Sequence, residues 1–331
     1  MWSLAKLFPL VSRPFPSLLS MLKRERHRSS MRTEGSHVNS PYGRSLVLKK
    51  ILITGARSYV GTSFARWLGQ WPEKYAVSSV DLRRSEWRDK DFHSYDVIYH
   101  VAAIVHSKEK DVNQYFLVNK DLAVEVAKKA KNEGVGQFIF LSTMGVYGRE
   151  TGAIDDKTSP NPGTPYAQSK LDAEELLNAL GSTSFKVVIL RPPIVYGKNC
   201  KGNYPKLSGL ALRLPLLPNV RNNRSMIFVD NLSEFVRLAI DREFDGLFFP
   251  QNNEYVDTTS LMQAIAQVHG KRLRLAAGLR AFVSLGIIVS ATIGKIFGSL
   301  TYDRDMSGGP AEFEYDTCSF EESVARTEGR T

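Results

Sequence analysis

The chain has 331 residues, of which 43% are hydrophobic, which is enough for a buried core and excludes a predominantly disordered protein. Most of its net charge of +10 lies at one end, because residues 1–50 hold ten Lys/Arg and two Glu and the other 281 residues carry only +2. With no helix-turn-helix or zinc-finger pattern, nucleic-acid binding is not expected. Cys200 and Cys318 are too few for a disulfide framework or a cysteine metal site, so we expect a cytoplasmic protein without a metal.

Residues 1–46 mix apolar and basic residues with Ser, Pro and Gly and contain almost no acids. The apolar stretch 4–11 is too short, and too closely flanked by Arg13 and Pro14, for a secretory signal. We expect a basic, disordered extension outside the fold. An organelle transit peptide, or a start at Met21 or Met31, are the alternatives.

From residue 47 onward, short apolar runs alternate with helical stretches, which is typical of a parallel sheet with crossover helices. The pattern predicts strands at 50–54, 77–81, 97–101, 138–142 and 187–190, and helices at 63–71, 113–132 and 166–180. The fold class is therefore α/β, a Rossmann-type doubly wound sheet that binds its ligand at the carboxyl ends of the strands. We expect a dinucleotide-binding domain over 47–190, continued by about 225–250, and a smaller C-terminal substrate-binding lobe from 191–224 and 251–331.

The first predicted strand runs into a helix through the turn T-G-A-R-S-Y-V-G, residues 54–61. Gly55 permits the tight turn and Gly61 lets the helix pack on the strand, while the helix N-terminus offers its amides to a pyrophosphate. Ser58, Tyr59 and Val60 complete this candidate cofactor cradle. Ser58 replaces the middle glycine of the usual fingerprint, which is expected to loosen the dinucleotide or shift it slightly.

The second predicted strand ends at Asp81, 26 residues after Gly55. An acid at about this spacing accepts hydrogen bonds from the adenine ribose hydroxyls and repels the 2′-phosphate of NADP. NAD is therefore the expected cofactor. Arg83 and Arg84 follow at once and offer a site for that phosphate, so NADP stays the alternative.

Tyr166 and Lys170 are four residues apart on one predicted helix, so their side chains share a face. Together they suit proton transfer from a hydroxyl. Lowering the pKa of a tyrosine from about 10 to about 7 requires ~4 kcal/mol. One ammonium at ~4 Å and an effective dielectric of ~20 supplies roughly that energy. The pair alone is not specific, since such spacings also arise by chance.

The order of these and further motifs is what identifies a family. Besides the turn, Asp81 and the Tyr166–Lys170 pair, the motifs are H-V-A-A at 100–103, Asn119, L-S-T-M-G-V-Y-G at 141–148, R-P-P-I-V-Y-G at 191–197 and R-S-M-I-F-V-D at 224–230. Over 51–232 the chain resembles the extended short-chain dehydrogenases/reductases. This group includes UDP-galactose 4-epimerase and the nucleotide-sugar dehydratases and reductases.

The resemblance assigns roles to single residues of this sequence. It implies Thr143, Tyr166 and Lys170 as the catalytic residues, with Ser142 supporting Thr143. Cofactor contacts are implied for Ala102, Ala103, Asn119, Tyr166, Lys170 and Pro193, and substrate contacts for Thr143, Tyr166, Asn203 and Arg224. Arg224 matches the arginine that holds the nucleotide diphosphate, a bidentate task that suits a guanidinium.

Two departures from the galactose epimerase pattern concern the identity of the sugar. Val105 stands where that group has a cofactor-binding lysine, and Ile194 stands where it has a phosphate-contacting asparagine. The nearest resemblance is to a bacterial branch of polysaccharide pathways, labelled UDP-N-acetylglucosamine 4-epimerase or 4-reductase. The resemblance also implies a helix-paired homodimer.

These residues predict an NAD-dependent nucleotide-sugar 4-epimerase that acts on a UDP-hexose or UDP-N-acetylhexosamine through a 4-keto intermediate. An NAD(P)H-dependent reductase of a UDP-4-keto-6-deoxy sugar is the alternative. A non-catalytic dinucleotide-binding sensor is the alternative of another class, although a sensor would not need Thr143, Tyr166 and Lys170. The 14 uncharged residues 281–294 are too few for a membrane span, and peripheral membrane contact through 281–300 stays open.

Overall fold

A six-stranded parallel sheet forms the centre of the computed structural model, which describes residues 48–105, 111–276, 297–307 and 314–329. The predicted extension 1–46 and most of segment 281–300 lie outside these residues. The strands are β1 Lys49–Thr54, β2 Tyr75–Val80, β3 Val97–His100, β4 Gln137–Leu141, β5 Gly152–Ile154, β6 Lys186–Leu190, β7 Ile194–Tyr196, β8 Leu216–Pro218, β9 Met226–Phe228, β10 Gly246–Phe248, β11 Arg274–Ala276 and β12 Leu300–Tyr302. The α-helices are α1 Tyr59–Leu68, α2 Val112–Tyr115, α3 Leu122–Asn132, α4 Pro165–Leu180, α5 Asn203–Arg213, α6 Val229–Asp241, α7 Thr258–Val268 and α8 Phe320–Thr327.

The strand order of the large sheet is β10-β6-β4-β3-β1-β2, and every pairing is parallel. The chain runs from β1 outward to β2 and then returns to β3 on the other side of β1, so the order reverses between β1 and β3. Such a reversal opens a crevice at the carboxyl ends of the strands. The predicted Rossmann-type sheet is confirmed, and its five predicted strands end within two residues of the observed ones.

Helix α1 begins at Tyr59, four residues before the predicted start. Ser58 caps it, because its Oγ accepts a hydrogen bond from the Gly61 amide at 3.2 Å and satisfies one of the free amides of the first turn. Helix α4 also begins with a cap, Thr164, followed by Pro165, whose missing amide hydrogen costs nothing in a first turn.

The predicted helix over 113–132 is confirmed, because the chain is helical from Val112 to Asn132. A π-helical turn at Phe116–Asp121, which was not predicted, separates α2 from α3. The π turn contains the fully buried Asn119, whose side chain is bonded to a neighbouring loop. A π turn inserts one residue into a helix and is frequent at functional sites, and this one turns Asn119 inward.

Small paired strands lie beside the main sheet: β7 with β9, β8 with β11, and β5 with β12. Apolar side chains of β7, β8 and β9 share a cluster with α5, α7 and α8 that contains Tyr196, Leu217, Met226, Leu261 and Ile265. Ile154 of β5 and Tyr302 of β12 belong to a second cluster. Helix α6, in contrast, packs against α1, and β10 extends the main sheet. No helix among the described residues is long and apolar enough to cross a membrane. The domain boundaries given above stay predictions.

Candidate active site

The turn after β1 brings the backbone close to the loop after β3. Gly55 has φ +89°, and a Cβ there would lie 3.0 Å from the backbone N and Cα of Ala102. A Cβ at Gly61 would lie 2.9 Å from side-chain atoms of Ile53 and Val101. Any larger residue at either position would therefore push the turn, the strand and the helix apart. This is the cradle that a dinucleotide pyrophosphate requires at a helix N-terminus.

The side chains of Ser58 and Tyr59 have structural roles and are not open to a cofactor, although both residues lie in the dinucleotide-binding turn. Ser58 has φ −67° and ψ 136°, ordinary extended backbone, so this position needs no glycine and its side chain caps α1. The Tyr59 side chain packs under Gly197, where a Cβ would lie 2.6 Å from the phenol oxygen. Burial raises the pKa of Tyr59. The Tyr59 ring is therefore part of the packing, and only its backbone and that of Val60 are available to the cradle.

Asp81 follows β2 at the same edge of the sheet, and Arg83 holds it. Arg83 Nε donates to both carboxylate oxygens, at 2.9 and 3.1 Å, and the Arg83 amide donates to one of them at 3.1 Å. These bonds keep the pKa of Asp81 well below its usual range. A ribose would have to share the carboxylate with Arg83, and a 2′-phosphate would have to draw Arg83 away from it.

The loop after β3 is fixed by Asn119. Asn119 Oδ1 accepts from the Ile104 amide at 2.8 Å, while Nδ2 donates to the Ile104 carbonyl and to Ser169 Oγ, both at 3.1 Å. Because Ala102 and Ala103 lie just before Ile104, these bonds fix the position of their backbone relative to the sheet. Asn119 thus links the small residues beside Gly55 to helix α4, which carries Tyr166 and Lys170.

Thr143, Tyr166 and Lys170 meet at the carboxyl end of β4. Thr143 Oγ1 accepts from the Gly145 amide at 3.0 Å, and a side-chain hydrogen bond joins Thr143 to Tyr166. Lys170 is 1% exposed, and its Nζ donates to the Leu141 carbonyl at 2.8 Å. The structure therefore brings the three predicted catalytic residues together. Pro193 is buried in the loop after β6, next to Pro192, whose carbonyl accepts from the Met144 amide at 2.9 Å.

The expected lowering of the Tyr166 pKa is not found. Burial raises the pKa of Tyr166 to about 12, and the hydrogen bond with Thr143 opposes that rise. Burial also lowers the pKa of Lys170 to about 7, so only part of its population is charged at neutral pH. Its ammonium group is engaged by the Leu141 carbonyl. Desolvation therefore outweighs the attraction between the two side chains that the sequence argument relied on.

A buried ion pair that the sequence analysis did not identify lies beneath these residues. Glu174 and Arg191 are 2% and 4% exposed, and Arg191 Nε lies 3.1 and 3.0 Å from the two oxygens of Glu174. Arg191 Nη1 also donates to the Tyr147 hydroxyl at 2.8 Å. Ser142 Oγ donates to Glu174, so its side chain faces the ion pair, and it supports Thr143 only as its neighbour in the chain.

Glu174 and Arg191 each lie in or near a motif of the sequence, but nothing in the sequence indicates that the two form a pair. Glu174 follows Lys170 by four residues on the same helix face, and it raises the Lys170 pKa against the larger effect of burial. Arg191 lies in the motif R-P-P-I-V-Y-G and Tyr147 in L-S-T-M-G-V-Y-G, and the family resemblance assigns neither of them a role. His100, in the quoted H-V-A-A motif, is fully buried, and its Nδ1 lies 2.9 Å from Thr54 Oγ1. Burial lowers the pKa of His100 to about 3, so it is neutral.

Asn203 and Arg224 line one cavity of about 220 Å³. Asn203, Lys206, Leu207 and Leu210 form one wall from a single face of α5, at the spacing of successive helical turns. The remaining lining residues are Ile194, Tyr204, Arg224, Met226, Val256, Thr258 and Leu261. The wall is thus mainly apolar, with few polar groups that can fix a ligand, as is usual for small-molecule sites.

Arg224 is the one buried cation of this cavity wall, with 8% of its surface exposed. Its Nη1 donates to the Gly298 carbonyl at 2.6 Å, and no carboxylate within the described ranges pairs with it. Burial lowers its pKa. Because a buried charge without a counterion is costly, the site favours an anion that supplies one. The apolar Ile194 shares this wall, whereas Val105 is 48% exposed near the cofactor cradle.

The sheet is of the Rossmann type, a glycine cradle follows β1, and Tyr166 and Lys170 lie at the carboxyl ends of the strands. These features define a dinucleotide-dependent enzyme of the short-chain dehydrogenase/reductase class. The model of the NAD dependent epimerase/dehydratase family matches residues 51–247. The chain belongs to this family.

The chain is similar in sequence to two curated relatives and similar in fold to a solved structure. It is 30% identical over 246 residues to a UDP-glucose 4-epimerase of Vibrio cholerae, covering 66% of this chain and 75% of the relative. It is 27% identical over 240 residues to the N-acetyl-alpha-D-glucosaminyl-diphospho-ditrans,octacis-undecaprenol 4-epimerase of Escherichia coli O157:H7, covering 66% and 71%. A UDP-glucuronic acid 4-epimerase of Bacillus cereus in complex with NAD has the same fold, with a TM-score of 0.66, 19% identity, and coverage of 85% and 95%.

Proposed function

We propose that this protein is an NAD-dependent 4-epimerase of a diphosphate-activated hexose, with a UDP-hexose or UDP-N-acetylhexosamine as substrate. The observation that supports this most is the meeting of Thr143, Tyr166 and Lys170 at the sheet edge. A cavity also contains Arg224, which has no carboxylate partner among the residues that the structure describes. The three clustered residues suit proton transfer from a sugar hydroxyl, and Arg224 suits the binding of an anion.

The cofactor site fits a dinucleotide by its shape. Gly55 and Gly61 let the turn, β1, α1 and the loop after β3 pack closely, Asp81 directly follows β2, and Asn119 holds the facing loop. NAD held by these residues would supply the acceptor and donor of a hydride at the sugar C4.

In the proposed mechanism, Tyr166 in its phenolate form accepts the proton of the sugar 4-hydroxyl and returns it after the sugar has turned. Thr143 donates to the same oxygen and holds it while the 4-keto group exists. Lys170, once charged, stabilises the phenolate of Tyr166. Arg224 holds the diphosphate, and the buried walls exclude water from the keto sugar.

The alternative, a 4-keto-6-deoxy sugar reductase, is favoured by two features of the cofactor site. The Ser58 hydroxyl caps α1, and Val105 has no charge at the position where the galactose epimerases have a lysine. The dinucleotide is therefore held by fewer groups than in those enzymes. An epimerase keeps its cofactor through every cycle, whereas a reductase must exchange it.

A second candidate substrate concerns the carrier of the sugar. The E. coli relative acts on a sugar attached to undecaprenol through a diphosphate. The cavity around Arg224 combines an anion site with Leu207, Leu210 and Leu261, which suits an isoprenoid diphosphate as well as a nucleotide. In both cases Arg224 binds the diphosphate.

The deciding experiment incubates the purified full chain with UDP-hexoses, UDP-N-acetylhexosamines and the polyprenyl-diphosphate N-acetylglucosamine, and follows the sugar 4-position by NMR. We expect the 4-epimer to form without added reductant, together with substoichiometric NAD in the purified protein. If no epimer forms with any of these, while a UDP-4-keto-6-deoxy sugar consumes reduced cofactor one for one, the reductase is correct. A dinucleotide-binding sensor would bind NAD and turn over none of them.

A further inference from the structure

Two consecutive residues of β4 contact the Lys170 amine. Its Nζ donates to the Leu141 carbonyl at 2.8 Å, and the same atom lies over the Phe140 ring, 4.3 Å from the ring centroid. Lys170 is 1% exposed, and Phe140 is fully buried. An ammonium group over the face of an aromatic ring is attracted by the ring quadrupole, most strongly where water is excluded. Unlike a packing contact, this attraction acts on the charged form of the lysine and not on the neutral one.

The contact differs from the other lysine–ring contacts of the described residues. Lys90, Lys120 and Lys129 also lie over aromatic rings, but at 5.0 to 5.6 Å from the centroids, and each of them is partly exposed. Water stabilises the charge of those three lysines. Lys170 is closer to its ring and is buried, so the ring replaces part of the stabilisation that water would give.

The charge of Lys170 has little other compensation. Within the part of the chain that the structure describes, the titratable groups near it, on its own helix and on the elements packed against that helix, are Glu174, Tyr166, His100, Tyr147 and Arg191. Burial raises the pKa of both tyrosines and lowers that of the histidine, so these three are neutral at neutral pH. The remaining carboxylate, Glu174, is already bound by Arg191. One carboxylate therefore serves two cations.

We propose that Phe140 is a positioning residue, which holds the Lys170 amine in its charged form against the face of its aromatic ring. This role rests on the proposed function, in which the charged Lys170 stabilises the phenolate of Tyr166. A leucine could fill the same place in the core but would not attract a cation. A second carboxylate would attract the cation but would also repel the phenolate. The ring carries no net charge, so it favours the ammonium group without that repulsion.

Phe138 provides a matched control for the packing of Phe140. Both rings are fully buried, and they lie two residues apart on β4, so they share one face of the sheet. Both also stack on His100, with centroid distances of 5.8 and 5.9 Å and interplanar angles of 28° and 27°. The Lys170 amine lies over Phe140. Phe138→Leu and Phe140→Leu thus remove similar core rings, and the second of them also removes the contact with the cation.

The test measures the ionisation of Lys170 directly, by an NMR titration of the full chain with isotopically labelled lysine. An ordinary lysine titrates at about 10.4. A resonance that titrates at about 7 is expected for Lys170, and its loss in Lys170→Met assigns it. In Phe140→Leu we expect this titration to move to lower pH by about one unit. In Phe138→Leu it should stay in place, and thermal unfolding shows that both variants are folded.

A second variant avoids the truncation of the core. A trifluorinated phenylalanine at position 140 keeps the shape of the ring but withdraws electrons from its face, which weakens the attraction to a cation. The Lys170 titration should move in the same direction as in Phe140→Leu. The proposal is wrong if the titration stays in place in both Phe140 variants, or if it moves equally in Phe138→Leu.

The same variants are then assayed for turnover of the UDP-sugars across pH. The charged form of Lys170 is lost as the pH rises through its pKa, so a lower pKa should move the alkaline limb of kcat/KM to lower pH in Phe140→Leu. An alkaline limb that stays in place while the titration moves would overturn the role in proton transfer. If the titration moves as expected and no sugar is turned over by the wild type, the proposed function fails, while the effect of Phe140 on Lys170 stands.

Discussion

We propose Tyr166 as the group that accepts the proton of the substrate hydroxyl, because a hydrogen bond joins it to Thr143 at the carboxyl end of β4. The change Tyr166→Phe keeps the ring and removes that acceptor. We expect kcat to fall at least about a hundredfold, as is typical of a lost general base, with NAD affinity within a few-fold. Tyr95→Phe, in the loop before β3 at the far end of the sheet, is the control. More than a tenth of wild-type activity in the Tyr166 variant would contradict the role.

Glu174 raises the pKa of Lys170 against burial, so we expect it to affect the proposed proton transfer. In Glu174→Gln the negative charge is lost, so the Lys170 pKa falls below about 7 and the charged form disappears at lower pH. The alkaline limb of the kcat/KM profile should therefore move to lower pH. Ser142→Ala removes a hydrogen bond to Glu174 without changing its charge, and should leave the limb in place. Equal profiles for both variants would show that Glu174 is only structural.

Asp81 and Arg83 form one unit at the ribose end of the cofactor site. In Asp81→Ala the repulsion of a 2′-phosphate is removed and Arg83 is released to bind it. We expect weaker NAD binding and a relative gain for NADP in a competition titration. Asp89→Ala removes an exposed acid outside this unit and should change neither. Unchanged selectivity in the first variant would mean that Asp81 does not reach the ribose.

The meeting of Thr143, Tyr166 and Lys170 could be predicted from the sequence, because Tyr166 and Lys170 are four residues apart on α4 and the motif with Thr143 precedes them in a recognisable order. The ion pair between Glu174 and Arg191 could not, because β6 and α4 meet only in the folded sheet. The raised pKa of Tyr166 was missed for the same reason. Burial is set by every neighbouring segment, whereas the attraction to Lys170 can be estimated from one helix.

At the level of elements, α1 is defined by its cap. The change Ser58→Ala removes the hydrogen bond to the Gly61 amide, and the free energy of unfolding should fall by about 1 kcal/mol. Ser58→Gly, which restores the usual fingerprint residue, should cost only a few tenths of that. Urea unfolding of both variants gives the comparison. Equal losses for both would mean that the cap does not stabilise α1.

The five predicted strands were found because apolar runs bounded by turns identify buried parallel strands. The sixth, β10, has only three residues, Gly246–Phe248, and no periodicity could reveal it. The π turn at Phe116–Asp121 was predicted as ordinary helix, since its residues have no local reason to depart from one. The bonds of Asn119 to Ile104 and Ser169 stabilise it from outside the segment.

At the level of the molecule, the exposed apolar residues Val112, Leu117 and Leu176 lie on elements that pack together around α4. They are 50%, 52% and 47% exposed. We expect a homodimer through this surface, in which these side chains are buried. Leu176→Glu should give a monomer in light scattering, while Leu48→Glu, at the start of β1, should not. A monomeric wild type would contradict the predicted dimer.

Arg224 connects three segments that are far apart in the sequence. It forms isolated bridges with Val256 and Leu300, and its guanidinium is held by the Gly298 carbonyl. The last strand of the main sheet, by contrast, ends at Phe248. During synthesis on the ribosome, all six sheet strands have therefore been made before the residues that hold Arg224 exist. A nascent chain therefore completes the strands around the proposed cofactor site first, and it completes the surroundings of Arg224 only after residue 298 has been added.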